Sequence, residues 1–280
     1  MVRVLKGIMR GGASLITMLI QKRINNNEFS RDNLRTDSVK KFNIILVGED
    51  GAGKEYYARE IHKLNKSKHD FSLIDFETDI IDRKRIVDSL INQGSENFRK
   101  DAQENGIFFR RFDLLEGCSM KQIQDFFRKV SSCETSRKVH FLELGILCSV
   151  DEGTYRPENK NLQDILDEFF VVEVRIPPLR ERMCEFHELV TRMTQDYDQV
   201  YRENILQVIS STHELFRQYT WPGNLNELQS FLEGILVLGD RDELTIKKYL
   251  SEKFNIRVNG QNNYHPKMFL KVKKEYQNHA

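Results

Sequence analysis

The sequence predicts an α/β fold, a parallel sheet with flanking helices, followed by a helical subdomain. Three observations carry that reading. Apolar runs of strand length alternate with helical spacing from residue 42 to 176. The first run ends in a glycine-rich turn that opens a helix, and from Cys184 to about Phe254 the apolar spacing is helical.

FNIILVG, residues 42–48, is the first strand, and a helical pattern follows through Tyr56, Tyr57, Ile61 and Leu64. FSLIDF (71–76), GIFFRRF (106–112), VHFLELGIL (139–147) and FFVVEVRI (169–176) read as four further strands with helical patterns between them. Such alternation builds successive βαβ units and hence a parallel sheet covered on both faces. After IPPLRER (176–182) the segments FHELVTRM and LNELQSFLEGILVL are helical, interrupted by the turn-forming WPGN at 221–224. The expected organisation is a basic leader and linker at 1–40, an α/β core at 41–183, a helical subdomain at 184–255 and a loose basic tail at 256–280.

Composition narrows the function classes. A net charge of +1 over 280 residues gives no global attraction to nucleic acid or membrane. Cys118, Cys133, Cys148 and Cys184 are spaced too widely for C-x-x-C ligation, and the seven histidines form no H-E-x-x-H cluster. Reduced thiols and a cytoplasmic location are expected. No stretch reaches the roughly 18 apolar residues of a membrane span. The first 27 residues lack any acid, and Arg3, Lys6, Arg10, Lys22 and Arg23 flank GGASLITMLI. Arg10 with Gly11 and Gly12 interrupts what a signal peptide needs. The segment reads either as a loosely docked leader helix or as a basic amphipathic helix lying on a membrane or partner.

The chemistry concentrates in the first turn. Gly48-Glu49-Asp50-Gly51-Ala52-Gly53-Lys54 fits G-x-x-x-x-G-K, with Glu55 where Ser or Thr usually helps hold magnesium. The spacing alone is a weak signal, and a plain glycine turn stays open as a reading. Its position between strand and helix strengthens it, because there the backbone N–H groups can close around phosphate oxygens at a helix N-terminus. Lys54 would reach the β- and γ-phosphates. Gly48, Glu49, Asp50, Gly51, Ala52, Gly53, Lys54 and Glu55 are therefore the candidate residues for binding ATP or ADP.

GEDGAGKEYYAREIHKLN resembles the G-E-x-G-x-G-K-E segment of the AAA+ ATPase domain of bacterial sigma-54-dependent transcription activators, where glutamate after the lysine is the norm. IPPLRER and YTWPGNLNELQSFLEGILVL (219–238) resemble later motifs of the same family in the same order, the second being its helical-lid motif. The likeness covers about residues 42–255. It implies an AAA+ P-loop core with a C-terminal lid, a role in transcription regulation, and assembly into rings.

The same resemblance implies losses. The family's second ATPase motif ends a strand in Asp-Glu, and alignment on Gly106 puts Arg111 and Phe112 at those positions. Using Asp113 instead would place the acid past the strand end. Counting back from IPPLRER, the arginines that reach a neighbour's γ-phosphate fall on Leu162 and Glu168. Asn226 stands at the lid arginine, and no polar sensor is recognisable in VHFLELGIL. Residues 77–105 are too short for the inserted loop that grips sigma-54 and lack its G-A-F-T-G-A sequence. No helix-turn-helix follows the lid, and Lys267, Lys271, Lys273 and Lys274 read as a solvated tail. Arg110 and Arg111 have two readings: a guanidinium supplying the charge that magnesium normally brings, or a surface arginine paired with Asp113 or Glu116.

The expectation is thus a pseudo-ATPase regulator that binds ATP or ADP without a defined magnesium site. It would act on a protein partner, an intact activator of the family or a second copy of itself. Direct sigma-54 remodelling is not expected, and no catalytic residue is assigned. An active ATPase with substitute residues and a nucleotide-independent interaction module are the alternatives.

Overall fold

Five strands pair in parallel in the order β2-β3-β4-β1-β5. These are β1 (Ile44–Gly48), β2 (Ser72–Asp75), β3 (Ile107–Arg110), β4 (Ile146–Asp151) and β5 (Val172–Arg175). The computed structural model describes residues 43–64, 71–132, 144–170 except 157, 172–195 and 219–238, with single positions between 199 and 217. The basic leader, the linker, Cys133 and the tail lie outside the described residues.

The strand at the centre explains the layering. Every residue of β1 is buried, and its side chains alternate between two cores. Ile45 and Val47 face a large cluster with Phe109, Phe112 and Phe127, while Ile44 and Leu46 face Ala58, Ile61, Phe108 and Val174. Helix α1 (Lys54–Leu64) belongs to the second cluster through Tyr57, Ala58 and Ile61. Helices α2 (Ile80–Gln93), α3 (Ser95–Glu104), α4 (Gly117–Ser132) and α5 (Lys160–Phe169) contribute to the first. A parallel sheet buried on both faces needs such continuous apolar strands.

Two strand boundaries depart from expectation. The run predicted over 106–112 stops at Arg110, because Arg111 adopts a left-handed backbone (φ 53°) and Phe112–Leu114 turn into a 3-10 helix. The strand predicted over 139–147 is β4 at Ile146–Asp151, sharing only Ile146 and Leu147 with it, and residues 139–143 lie outside the described set. Gly145, at φ 73°, precedes the strand. The buried Asn43 side chain fixes its start, accepting from Ile146 N–H at 2.9 Å and donating to Phe169 C=O at 3.0 Å. The chain therefore carries β4 onward through Cys148 and Ser149, and the polar Asp151 stands at its tip. The absence of a polar strand end, expected from VHFLELGIL, is corrected by this shift.

The described chain divides into two compact units, one through Pro178 that also takes in Gly223–Leu225, the other from Leu179 to Pro222 and from Asn226 onward. The second unit contains helix α6 (Phe186–Met193) and nearly all of α7 (Asn224–Leu238). Its core is aromatic: Phe186, Phe216, Trp221 and Phe231 are fully buried, with Phe186 and Phe216 rings 5.1 Å apart.

Candidate functional site

The turn from β1 into α1 is shaped by its glycines and by the carbonyls it ties down. Gly51 and Gly53 take positive φ (70° and 95°), a backbone that side chains resist. A Cβ on Gly48 would lie 2.8 Å from the Ile176 carbonyl oxygen, so only glycine lets β1 and the β5 exit approach this closely.

Each carbonyl from 48 to 51 accepts a hydrogen bond. The buried Lys54 ammonium donates to Gly48 O at 2.7 Å and Glu49 O at 2.8 Å. Asn224, within the first unit and fully buried, donates from Nδ2 to Asp50 O at 2.8 Å and to the Glu49 carboxylate at 3.2 Å. Leu225 N–H donates to Gly51 O at 3.0 Å. Peptide planes held by their carbonyls fix where their N–H groups point, and α1 begins at Lys54 with the first-turn N–H groups that a helix cannot satisfy internally. That is the chemistry of an anion site. Burial pulls the Lys54 pKa below the ordinary lysine range, and Arg111 adds to the lowering, against the fields of Asp151, Asp50 and Asp113.

Those interactions identify the rest of the site. Arg111 N–H donates to the buried Ser149 hydroxyl at 3.1 Å, tying the β3 end to β4. Its guanidinium donates to Asp113 from Nε (3.3 Å to Oδ1) and Nη2 (3.1 Å to Oδ2). Asp113 is buried and also accepts from Asp151 N–H at 3.2 Å. Burial opposes the Arg111 charge, but the hydrogen bond to Asp113 and the fields of Asp113, Asp151 and Asp50 outweigh it, so its pKa stands above the usual arginine value. Arg110 is the surface arginine of the pair: it bonds Asp75 at 3.3 Å and Glu77, while Arg111 pairs with Asp113.

The other positions singled out by sequence are occupied structurally. Phe112 is fully buried among Phe76, Phe109, Phe127 and Phe170. Leu162 is fully buried in the same core, and Glu168 is bound to Arg128. Asn226 is exposed on α7. Glu55 pairs with Arg59 at 2.8 Å. Ser149, Asp151 and Asn224 escaped the sequence reading, whereas Asp113 stands past the strand end and paired with an arginine, as one reading has it. The shifted β4 hid Ser149 and Asp151, and only the WPGN motif hinted at Asn224.

The residues fit a nucleotide phosphate better than a magnesium ion. The carbonyl-tied loop with Lys54 suits an anion. The aligned magnesium-ligand position is the cation Arg111. Among the described residues no helix is long and apolar enough to cross a membrane.

Comparison with known proteins places this architecture. The sigma-54 interaction domain model matches residues 21–106, and the AAA+ ATPase lid domain model matches residues 180–267. The luminescence regulatory protein LuxO of Vibrio campbellii is 27% identical over 223 residues, 74% of this chain and 48% of that protein. The transcriptional activator RocR of Bacillus subtilis is 20% identical over 230 residues, 77% of this chain and 49% of that protein. The chain thus spans about half the length of these curated relatives. The crystal structure of NtrX from Brucella abortus in complex with ADP shares the fold, with a TM-score of 0.52 at 18% identity over 94% of this chain and 64% of that one. A parallel five-stranded sheet, the glycine turn at its central strand and the ordered match of both models give one conclusion: the chain has the AAA+ fold, with a core similar to the sigma-54 interaction domain and a second unit similar to the AAA+ lid.

Proposed function

We propose that this protein is a transcription-regulatory AAA+ family member that binds ATP or ADP through Gly48–Glu55 and does not hydrolyse it, acting by docking onto a protein partner. The observation that carries the reading is the contrast across the site. On the β1 side the loop carbonyls are tied and Lys54 is in place, which supports nucleotide binding. On the β3 side the residue aligned with the water-polarising glutamate is Phe112, turned into an aromatic core where it can neither accept a proton nor orient water.

The positions aligned with the arginine fingers support the same reading. Leu162 and Glu168 serve packing and an ion pair within this chain, and trans-acting arginines can be worth about 10³ to 10⁵ in rate. A subunit of this kind, entering a ring of intact activators or of its own copies, would tune the ring without contributing turnover. The core spans 41–183 and the lid 184–255 in this reading.

Calorimetric titration with ATP and ADP, paired with single-turnover hydrolysis, tests it. Saturable binding that disappears in Lys54→Ala, with no phosphate release from the isolated chain or from mixtures with an activator whose own fingers have been removed, is the expected result. Turnover abolished by Lys54→Ala would overturn the pseudo-ATPase reading. Asp113 favours that second reading, since it is a buried carboxylate whose field reaches Lys54, and Asp113→Asn would then also abolish turnover.

A further inference from the structure

Arg111 is held more tightly than a surface arginine. Its side chain is 17% exposed, its backbone is left-handed, its N–H is bonded to Ser149 Oγ, and its guanidinium is bonded through Nε and Nη2 to a carboxylate that is itself buried. Nη1 has only a 4.0 Å approach to Glu77. A planar guanidinium anchored along one edge presents its remaining N–H groups in a fixed direction, the geometry that recognises phosphate. The cluster reaches the glycine turn through the sheet: Asp113, which holds the guanidinium, accepts from Asp151 N–H, Asp151 pairs with Gly48, and the Gly48 carbonyl accepts from the Lys54 ammonium.

A divalent cation has little room in the same place. Arg111 stands at the position aligned with the metal-orienting aspartate. The nearest carboxylate that could substitute, Asp113, is occupied on both oxygens by Arg111 and on Oδ1 also by Asp151 N–H. Glu55, in the position after the loop lysine, is engaged by Arg59. A metal ion drawing on Asp113 would have to displace a fixed cation from its own counter-charge.

Building on the nucleotide-binding reading above, we propose that Arg111 takes over the charge-neutralising role of magnesium, so that a nucleoside di- or triphosphate binds between Lys54 and the Arg111 guanidinium without any metal. Asp113 is then a positioning residue: it neutralises Arg111 in the resting site and sets the direction of its free edge.

The test is calorimetric titration of the full chain with ATP and with ADP, in EDTA and in excess magnesium. The variants are Arg111→Gln, the charge-balanced double variant Arg111→Gln/Asp113→Asn, and Arg110→Gln as a control, each checked for folding by thermal melting. The wild type is expected to bind with the same affinity within about twofold in both conditions. Both Arg111 variants should lose tenfold or more in EDTA, with Arg110→Gln unchanged. The double variant keeps the test valid if Arg111→Gln alone unfolds by stranding Asp113. Binding of the wild type that requires magnesium overturns this inference and leaves the nucleotide-binding reading standing. So does a folded Arg111 variant that binds as well as wild type in EDTA. Absence of binding in both conditions overturns both.

Discussion

Arg128 and Glu168 meet two nitrogens to two oxygens, Nε to Oε1 and Nη2 to Oε2, each at 3.0 Å. The pair joins α4 to α5 at a position where the family alignment expects an arginine reaching out of the chain. The hydrogen bond from Arg128 lowers the Glu168 pKa, with burial opposing it. A depressed carboxylate pKa stabilises the fold above the unfolded value and loses that contribution as pH falls through the folded one. Both side chains are substantially exposed, so Glu168→Gln should cost no more than about 1 kcal/mol at neutral pH. Urea titrations of wild type and variant should differ at pH 7, and the difference should shrink as the pH is lowered below the ordinary glutamate range.

Restoring the aligned acid at Phe112 should damage the fold without creating a catalyst. Its ring touches Phe76, Phe109, Phe127 and Phe170 at centroid distances of 5.7 to 6.4 Å. Phe112→Ala should cost about 3–5 kcal/mol through lost burial and the cavity left behind. Phe112→Glu should cost at least as much, because a buried unpaired carboxylate either stays charged at great expense or takes up a proton. Chemical denaturation together with a phosphate-release assay checks both halves.

Asn224 separates backbone from side-chain effects at the loop. Its φ of 50° is one that asparagine and glycine adopt readily, so Asn224→Gly keeps the turn and removes the amide that holds Asp50 O and the Glu49 carboxylate. Loss of that buried hydrogen bond should cost about 1 kcal/mol in stability and weaken nucleotide binding by several-fold. Asn224→Ala should be worse in stability by about 1 kcal/mol or more, from left-handed strain. Thermal melts with and without ADP distinguish the two variants.

The thiols should react in a fixed order. Cys118 and Cys184 are exposed, while Cys148 is fully buried in β4. Burial pushes the Cys148 pKa well above the ordinary thiol value, with the charge of Asp113 adding to it, and the thiolate is the reactive form. Iodoacetamide labelling mapped by peptide mass should modify Cys118 and Cys184 in the native protein and reach Cys148 only in denaturant.

The sheet was legible in the sequence because each strand is a short apolar run bounded by turns. The pattern fails where apolarity and strand pairing part company. VHFLELGIL and ILCSVD are apolar in the same proportion, so composition alone does not place the strand; ILCSVD pairs between β1 and β3, where Asn43 pins Ile146 and the sheet accepts the small buried Ser149. The glycine turn was legible for a local reason, since its pattern lies within seven residues. The Arg111–Asp113 pair was within reach of a local reading, but its ties to Ser149 and Asp151 were not, because they depend on a left-handed turn and on which residue ends β4. Asn224 reaches Asp50 across 174 positions, a contact that no window of sequence can display.

Trp221 is the single tryptophan of the chain, and it lies fully buried against Phe186, Phe216 and Phe231 with its indole N–H donating to Phe216 O at 3.0 Å. The first unit, rich in phenylalanine, therefore contributes nothing to emission excited at the red edge of indole absorption. The native protein carries its own optical label for the second unit alone. Following that emission beside far-ultraviolet dichroism, which reports helices and sheet from both units, would reveal whether the two melt as one cooperative body or in sequence, with no dye attached.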